Sequence, residues 1–178
     1  MPSHGQALAS GADPGLDPLA TIEIAKEYLN FSAGHFTIFS ATERENLHGH
    51  NWRVGCEIST PIGEDGLCFD YAVIKKRLMA ICDELDERVL LPAHSPHLQV
   101  IEENGMVIGL YADERIPFLP RDVLVLDLRN VTVEDLAGWF VKRLLAEPDI
   151  AREDIRMLKV RVSSGTNQWA AREWRRQA

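Results

Sequence analysis

The sequence has no excess of positive charge. Its 27 acidic residues outnumber its 19 lysines and arginines, which leaves a formal net charge of −8. Non-specific nucleic-acid binding needs a basic surface to replace counterions, so that class of partner is not expected. Cysteine is also scarce. Cys56, Cys68 and Cys82 are odd in number, widely spaced and form no CxxC pair. That excludes a disulfide framework and predicts free thiols in a reducing compartment. No apolar run reaches the roughly 20 residues of a membrane span. The opening stretch, MPSHGQALASGADPGLDPLA, lacks the basic and continuous apolar segments of a secretory signal. Together these absences predict a cytoplasmic protein without membrane attachment, and no internal repeat is visible.

What is present suits one domain with a proper core. Residues 1–20 are rich in Gly, Pro, Ala and Ser without periodicity, which predicts a disordered tail and a single domain over 21–178. TIEIAKEYLNFSAG (21–34) reads as a strand region. NWRVGCEIS (51–59) alternates, with Trp52, Val54, Cys56 and Ile58 on one face and Arg53 and Glu57 on the other. The two are expected to pair antiparallel around the intervening loop. Tyr71, Ile74, Leu78, Ile81 and Leu85 form a helical stripe with Asp70 as its N-cap. Asn104-Gly105 between apolar runs predicts a hairpin, here an insert over 99–118. DVLVLDLRN (122–130) reads as extended, and Thr132 with Asp135 is a capping box. The helix it opens carries Val133, Leu136, Phe140 and Leu144 and stops at Pro148. IRMLKVRVSSG (155–165) is a last strand, and the basic AREWRRQA reads as a frayed end. The order predicts an α+β chain with an antiparallel sheet.

Side chains two apart on a strand point the same way, so His48 and His50 share a face. His35, near the end of the preceding strand, could reach the same point. Three converging neutral imidazoles would hold Zn²⁺ with a fourth position left for water or substrate. On spacing alone, ordinary surface or core histidines fit equally. His4 lies in the tail, and His94 and His97 lie in the Pro-containing segment LPAHSPHL.

The words around the histidines say more. FSAGH (31–35) followed by HGHNW (48–52) resembles the signature of the 6-pyruvoyl-tetrahydropterin synthase and 6-carboxytetrahydropterin synthase family. The resemblance spans about residues 28–165 and takes in LDERVLLP (85–92) and NVTVE (130–134). It implies the T-fold, a four-stranded antiparallel sheet with two helices on one face. It also implies zinc on His35, His48 and His50, and a small-molecule pterin substrate. Subunits of the family assemble into a barrel, commonly a hexamer, with sites at subunit interfaces, so a homo-oligomer is expected.

Three positions depart from the family pattern. No cysteine base precedes HGH, and Thr42 and Arg44 stand where it would be. Glu45, three residues before His48, instead resembles the subgroup that cleaves the side chain of 7,8-dihydroneopterin triphosphate to 6-hydroxymethyl-7,8-dihydropterin. A carboxylate base there would need burial to raise its pKa from about 4.3, and zinc's charge works against that. Asp86-Glu87 stands where the family has an Asp-His relay, so Glu87 is either an acid-base group or an ordinary helix-end charge. Ser164 occupies the place of the glutamate that anchors the pterin's amino-pyrimidine edge, while the Thr132-Val133 backbone is expected to contribute to pterin binding. Lys75, Lys76, Arg77 and Arg129 are candidates for a triphosphate, or simply solvated charges. The leading expectation is a zinc-dependent pterin lyase or synthase. The alternatives are a relative with a non-pterin substrate and a non-catalytic zinc- or ligand-binding oligomer.

Overall fold

The long strand His48–Pro61 (β3) organises the chain, and its alternation dictates the layers. Trp52, Val54, Cys56 and Ile58 are buried under the helices, whereas Arg53 and Glu57 lie on the opposite face. The computed structural model describes residues 17–177, so most of the expected tail lies outside the described residues. The predicted first strand region is two strands, Leu19–Ile24 (β1) and Asn30–His35 (β2), both antiparallel to β3. Ile24 lies opposite Cys56 and Asn30 opposite Arg53, so residues 25–29 bulge out against only Val54 and Gly55. The Leu29 carbonyl accepts the Val54 N–H at 2.9 Å, which keeps the ladder continuous across the bulge.

Helix α1 (Ala72–Leu85) follows. The N-cap of this helix is Tyr71 rather than the expected Asp70, whose carboxylate accepts the Ala72 N–H at 2.9 Å from one residue earlier. Its buried residues include Ile74, Leu78, Ile81 and Leu85, the stripe that the helical spacing predicts. The chain then forms β4 (Arg88–Pro92), β5 (Leu98–Glu103), β6 (Met106–Tyr111), β7 (Glu114–Phe118) and β8 (Val123–Leu126). Helix α2 (Val133–Leu145) starts where the Thr132 hydroxyl accepts the Asp135 N–H at 3.3 Å. A single turn, α3 (Pro148–Ala151), leads to β9 (Met157–Gly165) and β10 (Gln168–Arg175).

The main sheet runs β10-β9-β3-β2-β4-β8, with β1 continuing β2 along β3. Its first four strands are antiparallel and make the four-stranded T-fold sheet, with α1 and α2 on one face. Strands β4 and β8 extend it in parallel pairing, a feature that the sequence pattern does not announce. Between sheet and helices lies a core in which Phe31 stacks on Trp52 at 5.8 Å and meets Phe140 at 6.2 Å.

Two expectations are corrected. The insert is a three-stranded meander rather than a hairpin. Asn104 and Gly105, with φ of 52° and 75°, make the expected tight turn, but a second turn at Ala112 (φ 48°) adds β7. The C-terminal segment is not frayed. It is strand β10, paired along β9, with Trp174 packed on the core and the Arg176 N–H bonded to the Arg156 carbonyl at 2.9 Å.

Candidate metal centre

The antiparallel register sets His35 directly opposite His48 at the ends of β2 and β3, and His50 follows two residues on along the same face. The three ring centroids are 4.7 to 5.1 Å apart, and one nitrogen from each ring lies within 4.8 Å of the others. Trp52 stands edge-on to His35 and His50 at 4.9 and 5.5 Å and closes the inner side.

Hydrogen bonds decide which nitrogens face inward. His35 Nδ1 lies 2.8 Å from the Val131 carbonyl, and His48 Nδ1 lies 2.8 Å from the Asn46 carbonyl. A carbonyl only accepts, so each Nδ1 carries the proton and each Nε2 keeps its lone pair. His48 Nε2 lies 2.9 Å from His50 Nε2. His35 Nε2 is buried with no hydrogen-bond partner among the described residues. A buried acceptor without a donor costs free energy, and a cation among the three nitrogens would remove that cost. Burial pushes the His35 pKa below its usual value. His50 is lowered too, first by burial and then by His48. Both shifts favour the neutral imidazole that a metal requires. The residues therefore fit a divalent metal.

Glu45 approaches this cluster from the loop joining β2 to β3. Its N–H donates to the Thr37 carbonyl at 2.9 Å, and its Oε2 accepts the Thr37 N–H at 2.8 Å. Burial pushes the carboxyl pKa up. The Thr37 hydrogen bonds and the nearby His48 and His35 outweigh it, so the net shift is downward. This reverses the upward shift expected of a base at this position, and leaves Glu45 ionised. Its neighbour Glu43 uses its carbonyl to accept the Phe39 and Ser40 N–H groups, and its side chain is exposed.

The remaining candidates separate. Asp86 acts locally, with its Oδ1 accepting the Ser32 N–H at 2.7 Å where α1 ends. Glu87 sits at φ 56°, its N–H donating to the Ser32 carbonyl. It lines an open cavity of about 520 Å³ together with His50, Asn51 and Arg88. Thr132 caps α2, and half-buried Val133 packs on the core two residues after Val131, whose carbonyl holds His35. Ser164 is half-buried near the end of β9. Lys75, Lys76 and Arg77 lie on α1, where Arg77 pairs with Asp149 and Glu147 and Lys75 lies over Tyr71. Arg129 lines a separate small cavity with His94 and Asp127. None of these four cations lines the cavity beside His50. Another cavity, of about 370 Å³, lies at the β1–β2 bulge beside Arg53, Arg161 and Trp169, away from the histidines.

Sequence reasoning missed Asn130. Its side chain accepts the Ile38 N–H at 3.2 Å and donates to the Ile38 carbonyl at 2.8 Å, tying the Glu45 loop to the start of α2. The only available signal was an Asn just before a helix cap. The orienting carbonyls of Val131 and Asn46 carry no side-chain signal at all.

A three-histidine cluster at one end of a sheet backed by two helices defines the class of protein. The 6-pyruvoyl tetrahydropterin synthase family model matches residues 23–174, and the chain belongs to that family. A Pyrococcus horikoshii protein provisionally named 6-carboxy-5,6,7,8-tetrahydropterin synthase is 30% identical over 142 residues, covering 79% of this chain and 83% of its own. A Methanocaldococcus jannaschii protein of the same provisional name is 26% identical over 144 residues, covering 80% and 88%. The 6-pyruvoyltetrahydropterin synthase of Plasmodium vivax has a similar structure, with a TM-score of 0.82 and 25% identity over 89% of this chain and 99% of that one. Two further structures of that enzyme carry alanine or cysteine in place of a catalytic glutamate.

Proposed function

We propose that this chain is a zinc-dependent pterin enzyme that acts on 7,8-dihydroneopterin triphosphate and cleaves its side chain to leave 6-hydroxymethyl-7,8-dihydropterin. His35, His48 and His50 would hold the zinc, which when bound supplies Lewis acidity beside the substrate's side-chain oxygens. Glu45 is the base. It takes a proton from a side-chain hydroxyl; it is ionised at neutral pH, and its lowered pKa makes it a weaker base than a free glutamate. The Thr37 N–H fixes the carboxylate's direction. Glu87, which lines the cavity beside His50, is the second acid-base group in this reading. The backbone at Thr132 and Val133 contributes to holding the pterin. Subunits assemble as a homo-oligomer, with sites completed between neighbours, in the cytoplasm.

The observation that carries this reading is the spacing Glu45-x-x-His48-x-His50, with the glutamate held by Thr37 near enough to feel the charge of His48 and His35. The catalytic glutamate named for the Plasmodium vivax enzyme supports a carboxylate in this role. One observation favours a different substrate: Ser164 cannot make the paired hydrogen bonds of a pterin-anchoring carboxylate. Formation of 6-carboxytetrahydropterin is the next reading for a pterin substrate.

The test is incubation of the zinc-loaded protein with 7,8-dihydroneopterin triphosphate, with chromatographic separation of products, beside Glu45→Ala and His48→Ala. Hydroxymethyl-dihydropterin that disappears in both variants is the expected result. A carboxylated or pyruvoyl product would move the chemistry to the other family reactions. No turnover, and no quenching of bound pterin fluorescence, would assign the site to another small molecule. Full function in Glu45→Gln would favour a binding protein.

A further inference from the structure

The three-stranded insert has an apolar inner face that packs on the Glu45 loop and on the edge of the main sheet. Leu98, Val107 and Tyr111 are buried in a second apolar cluster with Phe36 and Ile38, the first residues of the Glu45 loop, and with Leu91 and Val123 from β4 and β8. This cluster is separate from the core beneath the helices. The insert therefore packs its apolar surface on the loop that joins the histidine strands as well as on β4 and β8.

Polar contacts converge on the same loop. The Arg44 guanidinium lies over the Phe36 ring at 5.0 Å and the Tyr111 ring at 5.6 Å. It donates to the Glu45 carbonyl at 2.8 Å and pairs with Glu114 of β7. The Tyr111 hydroxyl donates to the Ser40 carbonyl at 2.9 Å. Arg44 is mostly covered, whereas the Glu114 side chain is 52% exposed. A half-exposed ion pair contributes little, so the rings and the Glu45 carbonyl do most of the holding.

We infer that β5–β7 is a brace for the Glu45 loop and that Arg44 is the positioning residue through which it grips. The inference rests on Glu45 being the base. Arg44 touches no reacting atom; it holds the peptide that carries the carboxylate. The histidines stand on strands of the main core, and of the contacts that orient them only the Asn46 carbonyl on His48 comes from the braced loop.

The experiment uses the full zinc-loaded chain with Arg44→Gln, Tyr111→Phe and Glu114→Gln. It measures zinc content, amide exchange over 37–46, and kcat and KM for 7,8-dihydroneopterin triphosphate. Arg44→Gln is expected to speed exchange over 37–46 by about tenfold. It should lower kcat by about 10- to 100-fold, with zinc content and KM unchanged. Tyr111→Phe should show a smaller version of both effects and Glu114→Gln the smallest. In a Glu45→Ala background, Arg44→Gln should lower kcat no further. Unchanged exchange in Arg44→Gln would overturn the brace, as would loss of zinc in step with activity. A further fall in kcat without Glu45 would overturn the route through Glu45. If Glu45→Ala alone keeps full turnover, the base assignment fails, and amide exchange still decides the brace by itself.

Discussion

The histidines and the glutamate stand on different foundations. His35, His48 and His50 project from paired strands whose inner faces hold Phe31 and Trp52, at the centre of the main core. Glu45 rides on a loop secured by Asn130 on one side and by the insert's small apolar cluster on the other. A cluster of side chains on paired strands is placed by register, with the Val131 and Asn46 carbonyls orienting two of its rings. A side chain on a loop has to be placed by contacts from elsewhere in the chain. The two regions should therefore fail separately.

The largest expected effect is on the metal. His48→Ala should lower zinc affinity by more than the roughly 10- to 100-fold that loss of an outer hydrogen bond to a ligand costs, whereas Glu45→Gln should leave zinc content unchanged. Equilibrium competition with a chelator measures both, and parallel loss of zinc would show that the regions are not independent.

Stability sharpens the contrast next. Trp52 is fully buried and stacks on Phe31, so Trp52→Ala should cost about 3–5 kcal/mol in urea unfolding. It should also weaken zinc binding, because two histidine rings lean on the indole. Leu98→Ala in the insert's cluster should cost about 2–4 kcal/mol and leave zinc binding intact.

A smaller effect comes from pH. Burial holds the His35 pKa below its ordinary value of 6.5, and His50 is lowered likewise. As pH falls below 6.5, the unfolded chain takes up protons that the folded chain refuses. Zinc-stripped protein should therefore be most stable above pH 6.5 and lose stability progressively below it. The drop should shrink in His35→Asn. Glu45, whose pKa lies below its ordinary 4.5, contributes only in a lower window, where stability is lost as its carboxylate is protonated. Urea midpoints between pH 7.5 and 4 separate the two ranges.

Much of this is legible in the residues, for reasons that differ by region. Alternation in 51–59 and the FSAGH and HGHNW words place the histidines on paired strands, because register follows directly from a buried face. Capping chemistry at Thr132 is equally local. Strand β4 and its parallel pairing with β2 and β8 are not, since RVLLP is a short apolar run with no periodicity and the extended reading of 122–130 names no partner. β7 is hidden because its turn is centred on Ala112 rather than glycine and the strand contains Pro117. β10 reads as frayed because an edge strand exposes most of its side chains, and only Ala170 and Trp174 turn partly inward. The contacts that hold the Glu45 loop, Asn130 on Ile38, Tyr111 on Ser40 and Glu114 on Arg44, bridge up to 92 residues of sequence and leave no local pattern.

The most direct test of separate foundations is zinc-edge X-ray absorption on the metal-loaded chain and on Glu45→Ala. Three imidazole nitrogens should coordinate the zinc in both, with the same spectrum, because the ligands belong to the strands and the glutamate to the loop. Fewer than three imidazoles, or a shell that changes when Glu45 is removed, would contradict it.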